Sequence, residues 1–199
     1  MPLDGWDHVE LWVGNAKQAA YYYEHAFGFR RTAYAGPETG VRDRASYVLE
    51  QNDIRFVVSS GLREDSEIGR FACRHGDGVK DIALRVPDAK EAYRQAVQRG
   101  ARGIAEPHTV EDEFGRVELA SIGTYGDVVH TFVDRSHYEG AYLPGYVAQD
   151  CAAAGDEVGL LAVDHIVGNV ELGRMNHWVE FYERVFGMTE MIHFSDEDI

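Results

Sequence analysis

The chain has 199 residues, 45% hydrophobic and 12% aromatic, enough apolar material for one full core and part of another. Lys and Arg number 19 against 34 Asp and Glu, a formal charge of −15. Phosphate contacts need clustered cations, so this balance argues against a nucleic-acid partner and against an anionic membrane surface. No apolar run approaches the ~20 residues that span a bilayer. The opening "MPLDGWDHVE" lacks the basic and apolar regions of a signal peptide, so a cytoplasmic location is expected. Cys73 and Cys151 form no CxxC pair and read as two free thiols.

In chain order, Trp6–Val13 alternates and is rich in β-branched and aromatic residues, which predicts a strand. Gly14-Asn15 breaks it and can cap a helix. Ala16–Phe27 is that helix, with Ala19, Tyr22, Tyr23, Ala26 and Phe27 as the expected apolar face and Gly28 as a left-handed cap. The run Tyr21-Tyr22-Tyr23 reads as core plus a solvated ring rather than a ligand cage. "FRRTAYAG", "ASYVLEQ" and "IRFVVSS" supply three more strands. Leu62–His75 is charged and predicts a loop with a short helix.

The same order then repeats. Gly78–Val86 is a strand, and Asp88 with Glu91 has capping-box spacing at the head of a helix that ends by Gly100. "GIAEPHTVE", "GRVELASIG" and "DVVHTFVD" are three further strands. Residues 1–135 therefore read as two βαβββ modules in tandem, whose sheets can pair into one cupped surface. "SHYEGAYLPGYV" is aromatic and non-periodic, and "QDCAAAGDE" is a small-residue linker, so 136–158 is the connecting segment. From residue 159 a third unit begins, with a strand over Gly159–Val170, a helix over Asn176–Phe186, Gly187 as its cap, and "TEMIHF" starting a further strand. Tyr23–Gly28 and Tyr182–Gly187 agree at four of six positions. The fold class is α+β, with an incomplete third module over 159–199.

His165 lies in that third unit. Strand alternation puts it on one face with Val167 and Asn169. On a concave face it reads as a metal ligand, although from the strand alone a packed or solvated strand histidine is the commoner outcome. The equivalent positions in the first two modules are His8, Asp81 and about Thr131, with His130 facing the other way. His, Asp and Thr are a poor set for a transition metal, so that domain is expected to be metal-free. The other histidines have no partner at HxH or HExxH spacing, and no GxSxG elbow or phosphate loop is present.

"WDHVELWVGNAKQAAYYYEHAFGF", "HGDGVKDIALRV", "TYGDVVHTFVDR", "YLPGYV" and above all "VDHIVGNVELGRMNHWVEFYERVFGM" closely resemble the 4-hydroxyphenylpyruvate dioxygenases, in order and over essentially the whole chain. The resemblance implies the vicinal oxygen chelate fold of paired βαβββ modules, four per subunit in two domains. It implies a non-haem Fe(II) dioxygenase of tyrosine catabolism, acting on 4-hydroxyphenylpyruvate and O2 to give homogentisate and CO2. It places the first iron ligand at His165 and a pocket-lining position at Val167. It also implies a homodimer or homotetramer. The family's second His and its Glu belong to a fourth module that this sequence does not contain, so the chain is expected to be part of a longer protein and not active alone. Hydroxymandelate synthase, which shares substrate, metal and fold, is the alternative enzyme. A non-catalytic small-molecule-binding module of the same fold is the alternative class.

Overall fold

The computed structural model describes residues 1–152 and 154–192. The first module comprises β1 (Trp6–Trp12), α1 (Ala16–Phe27), β2 (Arg30–Ala35), β3 (Arg44–Gln51) and β4 (Ile54–Gly61). The helix α2 (Glu67–His75) leads to the second module: β5 (Gly78–Arg85), α3 (Ala89–Gln98), β6 (Gly103–Asp112), β7 (Gly115–Gly123) and β8 (Val129–Tyr138). A short strand β9 (Val147–Ala148) and the helix α4 (Met175–Phe186) follow.

The nine strands of the described residues form one curled sheet in the order β6-β7-β8-β5-β1-β4-β3-β2-β9. Each module closes on itself through a parallel pair, β1 with β4 and β5 with β8. The modules join through antiparallel β1 and β5, which register Glu10 against Asp81 and His8 against Ala83. This is the expected tandem βαβββ arrangement, and its two-fold layout follows from the repeated strand–helix entry.

The helix ends behave as their sequences predict. Asn15 accepts a hydrogen bond from the Gln18 amide, and Asp88 accepts one from the Glu91 amide. Glu91 does not complete a capping box: its carboxylate accepts from Arg94 and Gln95. Gly28 (φ 71°) has to be glycine twice over, since a Cβ there would also lie 2.5 Å from the Asp156 carbonyl oxygen.

The helices cover one face of the sheet. Ala16, Ala20, Tyr47, Leu49 and Val58 form the core under α1, and Leu84, Ala92, Ala96, Ile122 and Phe132 the core under α3 and α4. The α1 interface departs from expectation. Its buried residues are Ala16, Ala20 and Glu24, while Tyr21 and Tyr22 are exposed and Tyr23 is half-buried. Small alanines let the helix approach the sheet closely, and Glu24 tolerates burial because Arg31 holds both its oxygens, at 2.7 and 2.8 Å.

The opposite, concave face is not open. The segment expected to be an irregular connection enters through the end of β8 and leaves through β9, which pairs with β2. Between them it folds back into the cup. Tyr142 packs with Ala33, Val48 and Val57, and Leu143 packs against both this group and Ala83, Val117 and Val133.

The third unit departs most from the reading of its sequence. Its helix forms, but Gly159–Val170 is not a strand, and Thr189–Ile192 is not one either. The remainder of "TEMIHF", including His193, lies outside the described residues. A strand needs a ladder partner. The β3–β4 turn supplies only a local substitute: Gln51 Oε1 accepts from the Leu160 amide, Asn52 donates to the Leu160 carbonyl, and the Asp53 amide donates to the Leu161 carbonyl.

Candidate functional site

Two copies of Asp-His open two of the units, and their local geometry is the same. In β1 the His8 ring Nδ1 lies 2.7 Å from Asp7 Oδ1. In the third unit the His165 ring Nδ1 lies 2.7 Å from Asp164 Oδ2. A carboxylate only accepts, so in both copies Nδ1 carries the hydrogen and Nε2 is the atom left to face a partner.

What faces Nε2 differs. His8 is buried, and the Tyr142 hydroxyl meets its Nε2 at 3.1 Å. Arg135 completes this network, donating to both Asp7 oxygens at 2.7 Å and to the Tyr142 carbonyl. Burial alone would raise the Asp7 pKa, but the hydrogen bonds from His8 and Arg135 hold the carboxyl well below the usual carboxylate range. His165, by contrast, has a side chain 74% exposed against 5% for His8. Val167 is also 74% exposed. The described residues thus leave His165 and Val167 in solvent, not on a closed concave face.

The other two positions of the first-domain set are also spoken for. Asp81 accepts from the Thr131 amide at 3.0 Å and from the Thr131 hydroxyl, and that hydroxyl sits 2.8 Å from Ser121 Oγ. Burial pushes the Asp81 pKa up to about 6, against the pull of nearby His8 and the Thr131 contacts. Glu10 accepts from Ser59, which bonds Ser46. Asp7, His8, Glu10, Asp81 and Thr131 thus each have a protein partner, and Tyr142 stands before His8 Nε2. Among the described residues no group of three or more His, Cys, Asp or Glu side chains is placed to hold a metal ion.

His130 faces the helix side, as strand alternation predicted. Its Nδ1–H donates to the Ile82 carbonyl, and the Tyr182 hydroxyl of α4 donates to its Nε2, each at 2.9 Å. Thr124 then donates to Tyr182 at 3.0 Å. Burial pushes the His130 pKa down to about 4, the Ile82 contact opposing it.

A family model described as "Hydroxyphenylpyruvate dioxygenase, HPPD, N-terminal" matches residues 1–144. The chain belongs to this family. It is 45% identical to a 4-hydroxyphenylpyruvate dioxygenase of Dictyostelium discoideum over 99% of the chain and 55% of that protein. It is 40% identical to one of Yarrowia lipolytica over 98% of the chain and 52% of that protein. The chain therefore spans about half the length of the curated relatives it matches. Among solved structures it superposes on a 4-hydroxymandelate synthase variant from Streptomyces coelicolor with a TM-score of 0.78 and 28% identity, covering 94% of this chain and 54% of that one. A methylmalonyl-CoA epimerase in complex with methylmalonyl-CoA shares the fold, with a TM-score of 0.56 at 18% identity, over 72% of this chain and all of that one.

Within this hydroxyphenylpyruvate dioxygenase N-terminal domain, sequence reading missed the residues that decide the cup. Tyr142 and Arg135 lie in two stretches of the resemblance, "YLPGYV" and "TYGDVVHTFVDR", but neither stretch assigns them a role in the cup. Arg135 comes within 2.7 Å of Asp7 only after the sheet has formed, across a separation of 128 residues. One signal was present: an aromatic stretch without strand or helix period, "SHYEGAYLPGYV", placed after a sheet with an unfilled face.

Proposed function

We propose that this chain is the N-terminal half of a 4-hydroxyphenylpyruvate dioxygenase. The reaction assigned is that of the resemblance: 4-hydroxyphenylpyruvate and O2 to homogentisate and CO2, dependent on Fe(II). The observation that carries the reading is similarity at 45% identity across 99% of the chain to a relative of that name. His165 is the proposed iron ligand and Val167 a residue beside the substrate. The Asp164–His165 contact supports the first assignment, because holding Nδ1–H fixes the tautomer and leaves the Nε2 lone pair to a metal. The described residues do not by themselves fit an iron site: they offer one exposed imidazole, and a transition metal needs more donors. We therefore derive no catalytic step from them.

The proposed division is a metal-free two-module domain over 1–135, a connection over 136–158 and the start of the catalytic domain from 159. The closed network around His8 supports the metal-free assignment. The described residues contain no helix long and apolar enough to cross a membrane. A cytoplasmic homodimer or homotetramer is the assembly proposed. Hydroxymandelate synthase is the second reading, favoured by the 28% identity and TM-score of 0.78 to one such enzyme.

The test uses the complete gene product. Iron content and O2 uptake with 4-hydroxyphenylpyruvate are measured, and the product is identified as homogentisate or hydroxymandelate. His165→Ala is expected to abolish iron binding, while His8→Ala leaves it in place. A complete product that binds no iron and consumes no O2 would sink the dioxygenase reading. Equal iron loss in both variants would overturn the assignment of the first domain as metal-free.

A further inference from the structure

Trp12, the last residue of β1, is only 8% exposed, yet its indole N–H meets no acceptor among the described residues. A buried donor without an acceptor is costly, so it calls for an explanation beyond the fold itself. Trp12 forms part of the wall of a small crevice of about 150 Å³, with Glu67, Arg70, Phe71 and Arg74 of α2, Lys80 of β5, and Asp127. Three cations therefore gather at one place in a chain whose acidic residues outnumber its basic ones by 34 to 19. Two elements bring them there. Arg70 and Arg74 lie four apart on α2, so their side chains are neighbours on its surface, where like charges repel. Lys80 Nζ lies 4.9 Å from the centroid of the Trp12 ring and 5.9 Å from that of Phe71.

Little of this charge is neutralised inside the fold. Arg70 donates to the Asp65 carbonyl, Arg74 to Asp127 Oδ2 at 2.9 Å, and Lys80 to the Asp127 carbonyl at 2.7 Å. Each cation keeps further N–H donors for a ligand. Asp127 is shared, since its Oδ2 also meets His75 at 2.8 Å. Glu67 is the other carboxylate of the wall, and no ion pair engages it among the described residues.

We propose that this crevice is a phosphoryl-binding site, in which Arg70, Arg74 and Lys80 meet the oxygens of one phosphate group and the Trp12 N–H is the neutral donor of the set. A phosphoryl group suits these residues better than a carboxylate does. Its tetrahedral oxygens accept from donors that arrive from different directions, whereas a planar carboxylate matches a single guanidinium fork. The volume of about 150 Å³ is also well below the ~300 Å³ of a site that encloses a whole ligand. The crevice therefore takes a head group, either free phosphate or the phosphate of a monoester whose body stays outside.

Fluorine NMR of the complete gene product, labelled with fluorotryptophan, tests this, with the Trp12 signal assigned by its loss in Trp12→Phe. Inorganic phosphate is expected to shift that signal saturably, with half-saturation on the order of 1 mM. Glycerol phosphate binding more tightly than inorganic phosphate would support an ester as the ligand, and equal affinity would support free phosphate. Arg70→Gln and Arg74→Gln, both at exposed positions, are each expected to weaken binding about tenfold, and Glu67→Gln to tighten it about threefold. Arg94→Gln removes the same charge from α3 and is expected to leave the affinity unchanged. No saturable shift at Trp12 would overturn the proposal. So would succinate acting as well as phosphate at matched ionic strength, or an equal loss of affinity in Arg94→Gln, because the response would then be one of general charge.

Discussion

Asp81 shows how a buried carboxyl carries a pH-dependent cost. Its carboxyl is buried, and desolvation raises its pKa from 3.8 to about 6. A raised pKa means that the folded state holds the proton more tightly than the unfolded chain. The stability tied to this group is full below 3.8 and is lost as pH rises through about 6. Asp81→Asn cannot ionise, yet it can still accept from the Thr131 amide and donate to the Thr131 hydroxyl. It is expected to gain on the native chain by about 1–3 kcal/mol as pH climbs through that window, with no further gain above it. Urea denaturation at pH 5 and pH 8 checks this, and a gain no larger at pH 8 would show that ionised Asp81 costs nothing. His8 differs from its repeat partner in burial and in what meets its Nε2. Tyr142 occupies Nε2 of His8, while Nε2 of His165 faces solvent, although Asp7 and Asp164 hold the two rings alike. The Asp-His dipeptides were legible as a repeat in the sequence. Their opposite exposure was not, because Tyr142 reaches His8 across 134 residues.

At the scale of elements, α4 is attached to the second module by an apolar seam, by Arg99 donating to the Val185 carbonyl and Arg184 donating to the Arg99 carbonyl, and by a buried polar latch. Phe181, Val185 and Phe186 supply the seam, and Tyr182 donates to His130 inside it. Tyr182→Phe leaves His130 Nε2 buried without a donor. A loss of about 1–3 kcal/mol in urea denaturation is expected, with faster amide exchange over Phe181–Phe186 than elsewhere. The latch is also pH-dependent. His130 has its pKa depressed from 6.5 to about 4, so its contribution is complete above 6.5 and is lost as pH falls toward 4. Amide exchange in α4 should therefore quicken across that range, and His130→Gln, which cannot take a proton, should flatten the response. The helices were readable in advance, since Asn15, Gly28, Asp88 and Gly187 mark their ends by local chemistry. The strand expected over Gly159–Val170 was not realised. Its residues have strand propensity, but propensity does not supply the paired neighbour that a ladder requires.

Over the whole molecule, one sheet of two closed modules carries a third unit that contributes, among the described residues, a helix and no strand. Removing residues 150–199 should keep the nine-stranded sheet but uncover Leu84, Ala96, Ile122 and Phe132 beneath the lost helix. The shortened chain is expected to unfold at lower urea and to bind a hydrophobic dye more strongly, by several kcal/mol of lost burial. An unchanged midpoint would mean that α4 adds no stability to the sheet. By itself the sequence determined the tandem βαβββ order, the helix limits, the family and the repeated Asp-His pair, because each is written in local periodicity, caps and short motifs. Only the tertiary structure decided that the cup is filled from within and that α1 buries Glu24 instead of Tyr22. Those outcomes depend on contacts between residues tens to more than a hundred positions apart, which exist only once the β1–β5 seam has brought the two modules into one sheet.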